Sequence, residues 1–169
     1  KMKSRGRVSM AYIIDGHNLI PKVHGLSLQR LDDELELIKR LQTFARIRRQ
    51  SLEVYFDKAA PGRAGTRNFG TVKAVFVAEN SSADAAIRDR LHRMGRKARG
   101  WKVVSSDRQV QAEVRSCQAE VVSSDAFAVQ LEDVLIQSVK SPGPNTGLTD
   151  AEVDDWLRMF NQPPPDEKP

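Results

Sequence analysis

The sequence predicts an α/β fold with a mainly parallel central sheet of about five strands. Two observations lead to this prediction. Short apolar runs alternate with longer stretches in which apolar residues recur every three or four positions, which is the pattern of strands alternating with amphipathic helices. The apolar runs are also followed directly by polar or glycine-containing turns. Strands of a parallel sheet end in this way before their crossover helices.

Each element has its own local signal. Val, Ile, Tyr and Phe fill the strands, and the leucines of the first helix recur at helical spacing from Leu28 to Leu41. Ser81 or Ser82 can cap the second helix. The predicted elements, in chain order, are a strand at 11–14, a helix at 28–45, a strand at 52–56, a long basic loop at 58–71, a strand at 72–78, a helix at 83–97, a strand at 101–104, a helix carrying Val110 and Val114, a strand at 121–122 and a helix from Phe127 to Leu135.

The chain is predicted to contain one domain with short appendages. The first ten residues carry four cations and no acid, the stretch after the last helix is rich in Pro and Gly, and Thr149 and Glu152 have the spacing of a capping box. The predicted parts are a basic extension at 1–9, the domain at 10–139, a linker at 140–148, a short C-terminal helix at 149–161 and a disordered tail at 162–169.

Composition excludes several classes of protein. None of the apolar runs among the 169 residues approaches the roughly 20 needed for a membrane-spanning helix. A single cysteine, Cys117, excludes an internal disulfide framework and fits a reducing cytoplasm, and no signal peptide is visible. The glycine spacing of phosphate-binding loops and of dinucleotide folds is missing, as is the serine elbow of hydrolases. We therefore expect a cytoplasmic protein without a membrane partner.

Positive charge is concentrated in the middle of the chain. Residues 58–102 contain eleven Lys and Arg against three acids, a net charge of +8, whereas 103–169 contain five against twelve, a net charge of −7. Such a block is a candidate surface for a polyanion, most plausibly nucleic acid, although a solvated basic surface fits it equally well. The charge pattern alone leaves both interpretations open.

Acidic residues follow the predicted strands at the edge where α/β sheets bind ligands. Asp15, Asp57 and Asp107 come after three strands, Glu79 ends another, and Asp84 opens the following helix. Carboxylates that converge repel one another unless a cation lies between them, and carboxylate oxygens suit Mg²⁺ or Mn²⁺. Such metals can stabilise the attacking and leaving oxygens of a phosphodiester displacement.

Several of these residues also have a purely structural interpretation. Asp107 and Asp125 both end the sequence Val-Val-Ser-Ser-Asp, and a helix N-cap explains both. Asp107 therefore stays open between cap and ligand, and Asp125 is interpreted mainly as a cap. His17, alone in its turn, could donate to a phosphate but is more typical of polar surface. Asp15 is hardest to explain structurally, because it follows four apolar residues of a buried strand.

The ordered set of these segments resembles the YacP-like branch of NYN domains, relatives of PIN-like nucleases. The resemblance covers roughly residues 10–160, and the final segment is similar to a tail helix of some members. The matching segments are 12–20 (YIIDGHNLI), 54–57 (VYFD), 75–77 (VFV), 82–87 (SADAAI), 103–107 (VVSSD) and 149–160. The resemblance implies a Rossmann-like, PIN-like three-layer sandwich with metal-dependent endoribonuclease activity.

The resemblance also implies a site. Its metal-binding acids would be Asp15, Asp57, Asp84 and Asp107, with Asn18 as a supporting polar group. The cofactor would be Mg²⁺ or Mn²⁺, the substrate RNA, and the products would carry a 5′-phosphate and a 3′-hydroxyl. Some members act on messenger RNA in association with the ribosome. Among the cations, those expected to contact RNA are Lys58, Arg63, Arg67 and Arg88, with Phe69 able to stack on a base.

Two positions depart from the family pattern. Ser81 stands where relatives often place an acid, and Ala85 stands where others have a second Asp. These departures keep an alternative function open, a non-catalytic RNA- or ribosome-binding module on the same fold.

Overall fold

The computed structural model describes residues 11–26 and 32–140, which form six strands and five helices. The predicted N-terminal extension, C-terminal helix and tail lie outside the described residues, as does the linker beyond Lys140. The elements are β1 (Ala11–Asp15), α1 (Gly16–Leu19), α2 (Asp32–Arg48), β2 (Ser51–Ala59), β3 (Gly65–Phe69), β4 (Val72–Ala78), α3 (Ala83–Met94), β5 (Trp101–Val104), α4 (Arg108–Ser116), β6 (Glu120–Val122) and α5 (Ser124–Lys140), with short 3₁₀ segments at Ile20–Lys22 and Gly95–Gly100.

The strands form one sheet in the order β3-β4-β2-β1-β5-β6. All neighbouring pairs are parallel except β3 with β4. β1 lies between β2 and β5, so the chain crosses over in opposite directions on its two sides. Ligands of open α/β sheets bind beyond the carboxyl end of the strands at such a reversal point. The end of β1, which is Asp15, therefore lies at the expected position of a site.

Helices cover both faces of the sheet, which confirms the predicted three-layer arrangement. Alternate residues of β1 point to opposite faces. Tyr12 and Ile14 belong to the core under α2 and α5, whereas Ile13 belongs to the core under α3 and α4. By the same alternation, Asp15 lies on the face covered by α3 and α4. Leu41 and Phe127 are fully buried on one side. The fold therefore brings the end of β1 next to the start of α3.

The predicted basic loop at 58–71 is wrong, because most of it belongs to a hairpin. β2 continues to Ala59, and Gly65–Phe69 forms β3, which pairs antiparallel with β4 at the edge of the sheet. Gly62 and Gly65 adopt φ of +83° and +134°, a region that glycine enters freely, and so permit the reversal between the strands. Phe69 is 4% exposed and packs in the core. It therefore offers no stacking surface for a base.

The helices follow the predicted order with adjusted ends. α3 ends at Met94 rather than at 97, because Gly95 has φ of +60° and a 3₁₀ segment follows. Ser82 caps α3, since its hydroxyl accepts the backbone N–H of Ala85 at 3.1 Å. Among the described residues, no helix combines the length and the apolar character that crossing a membrane requires.

Candidate functional site

Asp15 is a buried carboxylate at the end of the central strand. Asp15 is 6% exposed, and its carboxylate accepts a hydrogen bond from the backbone of Asn18. The hydroxyl of Ser105, on the loop after β5, lies 3.5 Å from its Oδ2. Burial, followed by the negative charges of Asp84 and Asp57, raises the pKa of Asp15 from 3.8 to about 6. The fold thus keeps an acid where its ionised form is disfavoured.

Asp84 faces this carboxylate from the first turn of α3. Burial raises the pKa of Asp84, the charges of Asp107 and Asp57 raise it further, and the guanidinium of Arg88 one turn later opposes them. A carboxylate in the first turn of a helix is also favoured by the helix dipole. At this edge of the sheet, Asp15 is therefore coupled electrostatically to Asp84 and Asp57, and Asp84 to Asp57 and Asp107.

His17 links Asp57 of this cluster to one further acid, Glu34. Its Nδ1 lies 2.7 Å from Asp57 Oδ1, and its Nε2 lies 2.5 Å from Glu34 Oε2 in the first turn of α2. Burial lowers the pKa of His17, but the two carboxylates outweigh this effect and leave the pKa raised. The interpretation of His17 as polar surface is therefore wrong. The sequence does not single out Glu34, because an acid inside the predicted helix at 28–45 is typical of the polar face of an amphipathic helix.

Gly16 allows this arrangement because α1 begins directly against β2. A Cβ at Gly16 would come within 2.4 Å of the Phe56 ring and 2.9 Å of the backbone oxygen of Tyr55. A side chain there would push α1 away from β2. His17 would then lose its contact with Asp57, the residue after Phe56. Glycine at this position is thus required by close packing rather than by an unusual backbone angle.

Asp107 is a helix cap, and it is also electrostatically part of the acidic cluster. Its Oδ1 accepts the backbone N–H groups of Gln109 at 2.8 Å and Val110 at 3.1 Å, the N-cap pattern of α4. Its own N–H donates to the Ser105 hydroxyl at 3.1 Å. The structure confirms the cap, and the negative charge of Asp107 still raises the pKa of Asp84. A ligand role for Asp107 remains a prediction.

Asn18 holds together the loops that follow three parallel strands. Its side-chain oxygen accepts the backbone N–H of Ser106 at 2.8 Å and the hydroxyl of Ser124 at 2.6 Å. Ser106 in turn accepts the backbone N–H of Ser124 at 3.0 Å. These contacts join the turns after β1, β5 and β6. The side chain therefore has a positioning role in this structure, and its role as a supporting polar group of a catalytic site remains a prediction.

Asp125 does not cap the last helix, contrary to the interpretation from its sequence context. The hydroxyl of Ser123 accepts the backbone N–H of Ala126 at 3.0 Å and fills that position. Asp125 instead lies 3.4 Å from Lys22 Nζ and keeps a side chain that is 70% exposed. The reason is that α5 begins inside the Val-Val-Ser-Ser-Asp sequence, whereas α4 begins after it.

The predicted RNA-contacting cations occupy different parts of this edge. Lys58 is exposed directly after Asp57, and Arg63 lies in the turn between β2 and β3. Arg67 lies further down β3, where its guanidinium covers the Phe76 ring at 5.3 Å. Arg88 is exposed on α3, one turn beyond Asp84. Lys58 and Arg88 thus lie next to acids of the cluster, and contact of the four cations with RNA remains a prediction.

The donor chemistry of the cluster fits a hard divalent cation, although no complete metal cage is formed. Within residues 11–26 and 32–140, no three His, Cys, Asp or Glu side chains make a group that could hold a metal ion. The mutual repulsion of Asp15, Asp57 and Asp84 is nevertheless the kind of strain that a cation relieves. Mg²⁺ commonly binds through only one or two carboxylates and keeps several waters.

Comparison with known proteins places this fold among nuclease-like domains. The family model of the YacP-like NYN domain matches residues 12–150. The crystal structure of Rae1 (YacP) from Bacillus subtilis superposes with a TM-score of 0.63 at 19% identity, covering 89% of this chain and 91% of that chain. The structure of a tryptophan-to-leucine mutant of the same Bacillus protein superposes with a TM-score of 0.60 at the same identity and coverage. No sequence among the curated proteins matches significantly.

Proposed function

Because the chain belongs to the YacP-like NYN family, we propose that it is a metal-dependent endoribonuclease acting at the carboxyl edge of its sheet. The family match and the structural neighbours support a nuclease-type, RNA-related fold. The observation that carries the finer proposal is the position of Asp15, a 6% exposed carboxylate at the end of β1 where the strand order reverses, and the raised pKa of Asp15 and Asp84 supports it. Carboxylates with perturbed pKa values at a ligand-binding edge are candidates for function.

In this proposal Asp15 and Asp84 hold Mg²⁺ or Mn²⁺, and Asp57 and Asp107 assist directly or through water. The bound metal would supply a water of lowered pKa for attack on the phosphodiester and a positive charge for the departing oxygen. Two other residues hold the acids and their turns in place. His17 fixes Asp57, and Asn18 holds the turns on which the acids lie.

The cations bind the polyanionic substrate on either side of the acids. Lys58 and Arg63 extend from the β2–β3 side, and Arg88 extends from α3. Phosphate contacts of this kind position RNA without reading its sequence. We extend the proposal to a cytoplasmic protein whose RNA substrate can lie on a ribosome. The support is the family resemblance, together with exposed cations further along the chain at Arg96, Lys97 and Arg99.

One observation favours the alternative of a non-catalytic RNA-binding module. Asp107 uses one oxygen as a helix cap, and the described acids do not form a ready group of three ligands. In that case the cations would bind RNA while the acids serve as caps and turn residues. The two functions differ in whether the protein binds a divalent metal and cleaves RNA.

The test compares Asp15→Asn with a matched control, Asp125→Asn. Asp15 is the buried last residue of β1, whereas Asp125 lies in the first turn of α5 with a side chain that is 70% exposed and pairs with Lys22. We expect purified wild-type protein and Asp125→Asn to cleave single-stranded RNA with Mn²⁺, and Asp15→Asn to lose cleavage. Undiminished cleavage by Asp15→Asn would reject the site. A calorimetric titration that shows no binding at millimolar Mn²⁺, with RNA affinity retained, would favour the non-catalytic alternative.

A further inference from the structure

A cleft of about 330 Å³ lies between α3 and α4, directly beside the acidic cluster. Its inner wall is apolar: Ile87, Leu91 and Val110 line it and are at most 5% exposed. The volume lies at the small end of the roughly 300–1,000 Å³ that small-molecule pockets occupy. The cleft can therefore hold one compact group, and it is too small for an extended ligand.

The outer wall of the cleft is polar. Arg88 on α3 and Gln109 and Glu113 on successive turns of α4 line it. Glu113 Oε1 lies 3.3 Å from the Nε2 of His92. Arginine presents a flat guanidinium with several donors, glutamine presents both a donor and an acceptor, and an ionised glutamate presents acceptors only. An apolar wall with such a rim matches a flat heterocycle whose edge carries hydrogen-bonding groups.

Asp84 connects the cleft to the proposed reaction. This residue lines the cleft, and its carboxylate is also coupled electrostatically to Asp57 and Asp107. A chain of RNA whose phosphate lies at the acids would therefore bring a neighbouring nucleotide to the mouth of the cleft. Proteins that recognise single-stranded RNA hold unstacked bases against apolar side chains or arginine planes and bind their edges through hydrogen bonds.

We infer that the cleft between α3 and α4 binds one base of the RNA next to the scissile phosphate and so determines base preference. This inference rests on the proposed endoribonuclease function and adds a specificity site to it. Glu113 accepts hydrogen bonds from amino groups, as acidic residues accept them from cytosine. The cleft therefore favours adenine, cytosine or guanine, which carry an exocyclic amino group, over uracil.

The test fills the cleft without disturbing the acids. Ala112 lines it and is exposed in the middle of α4, so Ala112→Leu adds bulk there while keeping a good helix former. The control is Ala126→Leu, at an exposed position of α5. With randomised single-stranded RNA and Mn²⁺, we expect Ala112→Leu to lose roughly 10-fold in kcat/KM and to flatten the base preference beside the cut, as removal of base stacking does. The control should match wild type.

Glu113→Gln adds a chemical readout, because an amide group both donates and accepts. We expect this variant to accept uracil nearly as well as the other bases, so that the ratio of kcat/KM between bases with an amino group and uracil falls toward one. Unchanged preference and unchanged kcat/KM in both Ala112→Leu and Glu113→Gln would overturn the inference and leave the proposed function standing.

A binding measurement separates failure of the inference from failure of the function. In EDTA, we expect AMP, CMP and GMP to shift the amide NMR signals of Gln109 and Ala112, and ribose 5-phosphate, which lacks a base, to leave them in place. If wild-type protein cleaves no RNA but shows these shifts, the proposed function fails and the base site stands. Equal shifts with ribose 5-phosphate, or no shift with any nucleotide, would overturn the base site.

Discussion

Replacing Asp15 with Asn should stabilise the metal-free protein at neutral pH while it removes the proposed activity. The pKa of Asp15 is 3.8 in the reference state and about 6 in the native state. Each pH unit between these values corresponds to about 1.4 kcal/mol, so the ionised carboxylate destabilises the fold by roughly 3 kcal/mol. Because the native pKa is the higher one, this penalty is missing below pH 3.8 and grows until the pH passes about 6.

The measurement is urea unfolding of wild type and Asp15→Asn in EDTA between pH 4 and pH 8. Other acids titrate in both proteins, so the difference between the two free energies of unfolding reports Asp15 together with its coupling to Asp84 and Asp57. We expect this difference to be small at pH 4 and to reach roughly 3 kcal/mol in favour of Asp15→Asn above pH 6. Millimolar Mn²⁺ at pH 7 should raise the stability of wild type and leave that of Asp15→Asn nearly unchanged. A difference that does not vary with pH would refute the electrostatic reasoning.

Two further predictions concern cations of the central basic block. Arg90 donates to both carboxylate oxygens of Glu53, whose side chain is 8% exposed, so Arg90→Ala should reduce the free energy of unfolding in urea by roughly 3 kcal/mol. Arg93→Ala breaks an ion pair with Asp89 in which both side chains are 69% exposed. This variant should change the free energy of unfolding by less than about 0.5 kcal/mol. Equal losses of unfolding free energy in Arg90→Ala and Arg93→Ala would contradict this distinction between a buried and an exposed ion pair. The other prediction compares neutralisation of Lys58, Arg63 and Arg67 with neutralisation of Arg96, Lys97 and Arg99. The first triple variant should flatten the salt dependence of single-stranded RNA binding, by about 0.7 in the log–log slope for each lost phosphate contact. An unchanged slope would show that the cations of the first set are only solvated surface.

The sheet could be predicted largely because its parallel strands are buried on both faces. Such strands are rich in apolar residues: 11–14 is a continuous apolar run, and 52–56 and 72–78 are apolar except for Glu53 and Lys73. β3 has no such signal. It is an edge strand in which only Phe69 is buried, and its order comes from pairing with β4 and from a turn that glycines permit. The local sequence carries little information about the pairing of an edge strand or about this turn.

The two copies of Val-Val-Ser-Ser-Asp show why capping could not be assigned from local sequence. In the first copy the helix begins after Asp107, which caps it. In the second the helix begins two positions earlier, and Ser123 caps it instead. The tertiary contacts differ, because the hydroxyl of Ser124 donates to Asn18 and is fully buried. Identical pentapeptides therefore begin their helices at different positions when their serines make different tertiary contacts.

The hydrogen bonds at this edge separate the residues that maintain the site from those that would perform chemistry. Asn18, His17 and Asp107 each use their polar atoms to satisfy neighbouring groups, which stabilises the fold. The ionised forms of Asp15 and Asp84, in contrast, are disfavoured by burial and by neighbouring acids. Disfavoured charges are concentrated where proteins bind ligands or carry out reactions. The most informative substitutions for the function are therefore those at Asp15 and Asp84, whereas loss of activity on changing Asn18 or Asp107 would also follow from displaced loops.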